Sequence, residues 1–343
     1  MQPYRHSGVI RLNRASCFEH LDPAARMLRS LLPLLSIALI AGACESSGFS
    51  DEPLTVETRS ALEILPPDAQ VVASVNLRQI ADNPELSLES MLNSLGEMHE
   101  EARARVSEFV ATTGFDPAKD LRSVYVSSSL ELNPVVLAYG AYDVERLSEF
   151  IDSRQSSIIS KYFYRDVPVY EMAVENNDSM LLALAGESMM IASPNKTELH
   201  AVLDRALDTE NREIPQRLST LAGQVAGSDS WIVITELPVP ADTSEKPDMT
   251  AIASSILSAS AGMNAAADKL EMTSWLTPQQ DLSAEDLEDL VRGGIAALKI
   301  EAKDNPAAFD ILDRIETRTT SGTVQIRAEL TTEQLRAFRK DRI

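Results

Sequence analysis

Cysteine is nearly absent from this chain: 343 residues hold two, Cys17 and Cys44. That scarcity excludes a disulfide framework and a cysteine-ligated zinc site. Histidine is almost as rare. Only His99 and His200 lie beyond the first 43 residues, and each sits on a predicted helix beside acids, as a surface histidine does. No G-x-S-x-G elbow accompanies them, and no serine stands out for activation by a His–carboxylate pair. Phosphate-cradling glycine loops are missing, since Gly293-Gly294 are adjacent and fall within a predicted helix. Positive charge is short, 31 Lys and Arg against 52 Asp and Glu, a net −21. A phosphate-gripping protein needs a basic face, so nucleic acid is excluded as a partner. Purely electrostatic attachment to an anionic membrane is excluded with it. No apolar run approaches the ~20 residues of a membrane-spanning helix.

What is present begins at Met27–Cys44, MLRSLLPLLSIALIAGAC. Arg29 supplies a positive start and Leu31–Ala41 an apolar core interrupted only by Pro33 and Ser36. Ala41-Gly42-Ala43 are the small residues that precede a cut, and the polar run after Cys44 ends the segment. These are the three parts of an export signal. Ala41-Gly42-Ala43 also fits the A-x-A rule of ordinary signal peptidase. The stretch resembles the lipobox of bacterial lipoproteins, with Ala41 in place of the usual Leu or Val. The resemblance covers this segment alone. It implies cleavage between Ala43 and Cys44 and a diacylglyceryl group on the Cys44 thiol. Cys17 lies upstream, so Cys44 would be the one cysteine left, and acylation would remove a thiol that is a liability in an oxidising compartment.

Residues 1–26 show no amphipathic period and are dominated by Arg5, Arg11, Arg14 and Arg26. A start at Met27 would give the signal its expected length, so 1–26 read as a disordered or mis-annotated extension. Without residues 1–43, which carry five Arg and two acids, the charge becomes −24. Residues 44–60 read as the lipidated cysteine and a flexible tether. Glu45, rather than Asp, follows the cysteine. In enterobacterial lipoproteins that implies the outer membrane, with the folded part facing the periplasm or the exterior.

Beyond the tether, short alternating strands and capped helices predict the α+β class, with antiparallel sheets, helices packed on one face, and two duplicated ferredoxin-like halves at 61–225 and 226–343. Strands are expected at Val71–Leu77, Leu121–Leu130, Pro134–Ala141, Tyr162–Tyr164, Pro168–Met172, Met180–Ala185, Met189–Ala192, Trp231–Ile234 and Leu270–Leu276. A hairpin is expected over Ser321-Gly322. Asp143, Ser283 and Asn305 are expected helix caps, Ser193-Pro194 a helix start, and Thr331-x-x-Gln334 a capping box. Met249–Ala267, rich in Ala and Ser, reads as helix. Val136–Phe150 aligns weakly with Val324–Phe338, both running strand, cap, then Glu-x-Leu-x-x-Phe, which suggests duplication.

Three groups of residues invite a functional reading. Tyr139, Tyr142, Tyr162, Phe163, Tyr164 and Tyr170 could make a stacking platform for sugar or peptide, although aromatics on strands more often pack on cross-strand neighbours. Asp281, Glu285, Asp286, Glu288 and Asp289 could attract calcium, but they lack the glycine and alternating ligands of a calcium loop and read as an acidic helix start. Met172, Met180, Met189 and Met190 could line an apolar ligand site or fill the core. No catalytic residue, metal site or cofactor is assigned. The sequence therefore predicts a lipid-anchored protein of the cell envelope, held to a membrane through Cys44, that binds or scaffolds an unknown protein or small molecule without being an enzyme. An envelope hydrolase using carboxylates and a carrier of an apolar ligand are the alternatives.

Overall fold

The computed structural model describes residues 54–81, 100–129, 133–154, 158–173, 179–208, 212–237, 252–266 and 268–334. The export signal, the Ala43–Cys44 cut, His99 and the Pro238–Asp248 loop lie outside them. Helix α1 (Val56–Ile64) opens the described chain, capped by Thr55 Oγ1, which accepts from Thr58 N at 3.1 Å. It takes in residues 56–60, which the sequence assigned to the tether, because Ala61, Leu62 and Ile64 make one buried face.

Twelve strands follow among the described residues: β1 (Val71–Asn76), β2 (Leu121–Ser128), β3 (Val135–Gly140), β4 (Ile158–Tyr164), β5 (Val167–Ala173), β6 (Ser179–Ala185), β7 (Met189–Ser193), β8 (Ser230–Ile234), β9 (Ile256–Ala265), β10 (Lys269–Pro278), β11 (Glu316–Thr320) and β12 (Thr323–Thr331). They form one sheet in the order β11-β12-β10-β9-β8-β1-β2-β3-β7-β6-β5-β4. Every pairing is antiparallel. The helices among them are α2 (Leu77–Ile80), α3 (Glu100–Thr113), α4 (Pro117–Asp120), α5 (Val144–Ser153), α6 (Lys196–Leu207), α7 (Gln216–Gly223), α8 (Ala284–Glu301) and α9 (Pro306–Asp313). This is the α+β class with an antiparallel sheet.

The two expected halves occupy opposite ends of that single sheet. They meet where β1 pairs with β8, Val72 opposite Val233 and Ala73 opposite Ile232. From this joint each half runs outward as three consecutive antiparallel strands, β1-β2-β3 and β8-β9-β10. Each then leaves through a helix, α5 or α8, and returns a later strand, β7 or β12, beside its third. That consecutive order replaces the interleaved strands of a ferredoxin-like half. The weak sequence repeat is out of phase with it: it aligns β3 with β12, and these stand third and fourth from the joint.

Helices cover both faces of the sheet, not the one face expected. Neighbouring residues on a strand point to opposite faces. Val169 and Ala183 belong to a core with α1, α6 and α7, while Tyr170 and Leu184 belong to another with Phe115 and α5. At the other end Trp275 joins the first core, and Leu276 packs under α8 with Leu287 and Val291. Strands buried on both sides need apolar residues at both parities, and the run Met180–Ala185 has them.

The larger correction is Met249–Ala267. Its described part is not a helix but β9, ten residues paired with β8 and β10. Ala favours helices in isolation. Here Ser258, Ser260 and Gly262 alternate with Ala259, Ala261 and Met263, a period of two that puts the small polar residues under α7. At Gly262 an added Cβ would collide with Ser228 Oγ and lie 3.0 Å from Ser228 Cβ, so only glycine lets the turn after α7 sit this close.

Candidate functional site

The densest group of ring and charged side chains lies at one end of the sheet, where α6 runs beside the edge strand β4. Asn195 starts the helix by accepting from Thr197 N at 2.9 Å and Glu198 N at 3.3 Å, two residues beyond the expected Ser193-Pro194 start. Leu199, Val202 and Leu203 turn inward and are buried. Lys196, His200 and Asp204, spaced by four, form a row on one flank. On β4, Tyr162 and Tyr164 share a face because they are two apart.

Row meets row. Lys196 Nζ sits over the Tyr162 ring at 4.4 Å. The Tyr162 hydroxyl lies 3.0 Å from His200 Nε2. Tyr164 stacks on the imidazole, 3.8 Å between centroids and 11° between planes, and donates to Asp204 Oδ2 at 2.8 Å. Arg165 Nη1 donates to the other Asp204 oxygen at 3.0 Å. Arg165 is held in the left-handed region, φ 48°, with Asp166 beside it at 66°. These two residues are the whole turn of the β4–β5 hairpin, and positive φ at both makes it type I′.

The protonation states follow from these contacts. Burial, and then the nearby Lys196 charge, push the His200 pKa below its ordinary value against the pull of Asp204, so the imidazole is neutral at pH 7. Burial acts most strongly on the Asp204 carboxyl and raises it, but the hydrogen bonds from Tyr164 and Arg165 and the Arg165 charge together hold it below the usual range. The Tyr164 phenol is pushed up by its bond to that carboxylate. Both Asp204 oxygens are occupied, and His200 is sandwiched by two phenols. The cluster orders its own members, and each polar group already has a partner within it.

The structure scatters the other residues singled out from sequence. Tyr139 is buried, edge-on to Tyr125 at 5.8 Å, and burial lifts its phenol to about 12. Tyr142 donates to the Met189 carbonyl at 2.6 Å on the far side of β7. Tyr170 is fully buried and Phe163 is 68 % exposed, and both face away from Tyr162 and Tyr164. The six aromatics therefore form no single platform. Met172 and Met190 pack against one core and Met189 against another. In the acidic stretch Ser283 caps α8, exchanging bonds with Asp286, and Glu288 accepts from Thr319 at 2.7 Å and pairs with Arg292 at 2.7 Å. Thr319's hydrogen bond, with the Arg292 charge, holds that carboxyl low. A groove of about 430 Å³ lies beside it between α8 and β11, lined by Arg292, Lys299, Ile295 and Ile315. Its lysine pairs with Asp313 at 3.0 Å.

Sequence reading identified His200 but missed Asp204, Tyr164 and Arg165 as its company. The signals were there, Lys-x-x-x-His-x-x-x-Asp at helical spacing and Tyr-x-Tyr at strand spacing. Joining them needed the knowledge that α6 lies against β4.

No protein-family model matches the sequence, and no curated protein matches it. Among solved structures, three crystal forms of TP0453 are similar in shape. Form I covers 80 % of this chain and 94 % of its own at 11 % identity and a TM-score of 0.47. Form III covers 80 % and 96 % at 11 % and 0.49, and form IV covers 85 % and 99 % at 13 % and 0.48.

Proposed function

We propose that this chain is a lipid-anchored module of the cell envelope that binds or scaffolds a partner without catalysis. The observation that carries the reading is Met27–Cys44, an export signal whose small residues end at the first of its downstream cysteines. The position of α1 agrees with it. Eleven residues separate Cys44 from Thr55, the cap of the first helix, and at ~3.3 Å each they reach roughly 35 Å. That is enough to hold the folded body clear of a bilayer. A net charge of −24 beyond residue 43 makes a covalent lipid the natural tether, because anionic headgroups repel the body. The cell-envelope location, the outer membrane and the face toward periplasm or exterior are parts of the same proposal.

The polar cluster at α6 and β4 supports binding over hydrolysis. A carboxylate acting as base or nucleophile needs a free oxygen facing substrate, and Asp204 gives both of its oxygens to Tyr164 and Arg165.

The test is metabolic labelling with a radioactive fatty acid. The wild-type chain should take up label and sediment with membranes. A Cys44→Ser variant should do neither. Label retained by that variant ends the lipoprotein reading.

A further inference from the structure

The two edges of the sheet are built differently. At β11 the neighbouring helix guards the edge. Arg292 of α8 reaches across to Thr317, Nε to Oγ1 at 2.9 Å and Nη2 to the backbone carbonyl at 3.4 Å. At β4 no described strand or helix side chain takes the outward backbone groups. Exposed edges are ordinarily shortened, charged or covered. β4 is instead seven residues long, Ile-Ile-Ser-Lys-Tyr-Phe-Tyr, with no acid in a chain that has 52.

The ladder fixes which groups point outward. The type I′ turn at Arg165-Asp166 makes Tyr164 and Val167 a pair that exchanges both hydrogen bonds. Tyr162 opposite Val169 is then bonded likewise, and Phe163 opposite Pro168 is not. Pro168 has no N–H to offer, which fits. Lys161 and Phe163 therefore direct N–H and C=O away from the sheet.

We propose that β4 is a homodimer edge, pairing antiparallel with β4 of a second copy about a twofold axis through Tyr162. This register sets Lys161 opposite the partner's Phe163, and Phe163 opposite the partner's Lys161. All four outward donors and four acceptors at these residues then meet in two bonded pairs. Tyr162 faces itself across the axis, and Ser160 faces the partner's Tyr164. Moving the axis to Lys161 sets that cation against its copy. Moving it to Phe163 sets Lys161 against the partner's Arg165. Like charges directly opposite are destabilising, so one register of the three survives. It also covers Phe163, the most exposed aromatic of the described residues at 68 %, with a lysine stem. The absence of acids on the strand lets two strongly acidic chains approach there. A contact this small falls short of the ~1,200 Å² of a standard stable complex, so the dimer is weak, concentration-dependent, and strengthened by salt that screens the repulsion between the bodies.

The experiment uses the full chain with Cys17→Ser and Cys44→Ser. Adding Tyr162→Cys should give a disulfide-linked dimer under mild oxidation, because a non-bonded antiparallel pair holds its Cα atoms about 4.5 Å apart, within disulfide reach. Thr317→Cys on the guarded edge should stay monomeric. Sedimentation of the otherwise unchanged chain should show a dimer fraction that rises several-fold with concentration and with added sodium chloride. Phe163→Pro, which removes an outward N–H only, and Phe163→Lys, which opposes Lys161, should each abolish that rise with circular dichroism unchanged. The proposal is overturned if Tyr162→Cys stays monomeric, if Thr317→Cys links equally well, or if both Phe163 variants dimerise as before. Dimers through another surface, or capture of an unrelated extended peptide at β4 with no self-association, would overturn it too.

Discussion

Gly262→Ala should destabilise the fold, and the structure says by roughly how much. Gly262 is in the middle of β9, opposite Trp231 of β8 and Thr273 of β10. Its open side faces the turn that follows α7, where Ser228 N donates to Val225 O at 2.9 Å. An alanine methyl would overlap Ser228 Oγ, lie 3.0 Å from Ser228 Cβ and 3.5 Å from Val225 Cβ. The hydroxyl can rotate aside. The Ser228 Cβ cannot, because it is fixed to a backbone that is 5 % exposed and wedged beside Val225 at 1 %. Relief needs a shift of the whole turn away from the sheet. Overpacking of this kind costs about 1–3 kcal/mol. Against it stands the gain of about 0.4–1 kcal/mol from removing a glycine from the unfolded chain. A net loss of about 1–2 kcal/mol remains, which lowers Tm by roughly 2–4 °C per kcal/mol at this size. Urea and thermal unfolding followed by circular dichroism would measure it. The decisive control is Ser228→Gly, which removes both colliding atoms. In that background Gly262→Ala should cost about 1 kcal/mol less than in wild type. If the single variant is neutral, or if its cost is unchanged beside Ser228→Gly, the close approach is not what glycine serves here.

Other substitutions probe the site and its supports. His200 is held neutral, its pKa below the unfolded value, so the unfolded chain takes up the proton first as pH falls. Stability from this group is complete above the unfolded pKa of about 6.5 and declines below it, and His200→Gln should flatten the acid side of a stability–pH profile measured by urea unfolding between neutrality and the carboxylate range. Replacing Arg165-Asp166 with Asn-Gly puts the residues that type I′ turns favour at φ 48° and 66°. It should raise hairpin stability by about 1 kcal/mol, partly offset by loss of the exposed Arg165–Asp204 bond, with the effect read as a Tm shift. Gly293 has open space around its missing methyl, whereas one on Gly294 would lie 2.6 Å from Ile252 Cδ1. Gly293→Ala should therefore stabilise α8 by about 0.5–1 kcal/mol, and Gly294→Ala should gain less, in the same unfolding assay.

Much of the architecture was legible because it is written locally. Asp143, Ser283 and Asn305 are caps in the structure as in the sequence, each accepting from backbone N–H groups of the first turn. Thr331 and Gln334 close the expected capping box from both sides, with Gln334 N donating to Thr331 Oγ1 at 3.2 Å and Thr331 N to Gln334 Oε1 at 2.9 Å. What failed was what depends on the partner. The Ser–Ala alternation of β9 has a strand's period, but its residues carry a helix's propensity. Only the placement of α7 above and the α8 core below decides between them. The burial of both sheet faces is equally non-local, since Tyr170 and Val169 are adjacent in sequence and belong to different cores.

The two hairpin turns at the sheet edges show where local legibility ends. Ser321-Gly322 carries the glycine that a positive φ favours, so the β11–β12 turn could be read from sequence. Arg165-Asp166 carries none, yet takes the same left-handed pair of conformations at a strain of about 1–2 kcal/mol for the arginine. Nothing within the hairpin compensates that strain. The compensation lies 39 positions away, at Asp204, which holds both Arg165 and the hydroxyl of Tyr164. A more tolerant Asn-Gly turn would hold the hairpin without help and leave α6 unattached to β4. The arginine makes the edge strand depend on the helix, and with it the orientation of Tyr162 and Tyr164. The least legible residue of the site is thus the one that fastens the exposed edge of the sheet to the body of the protein.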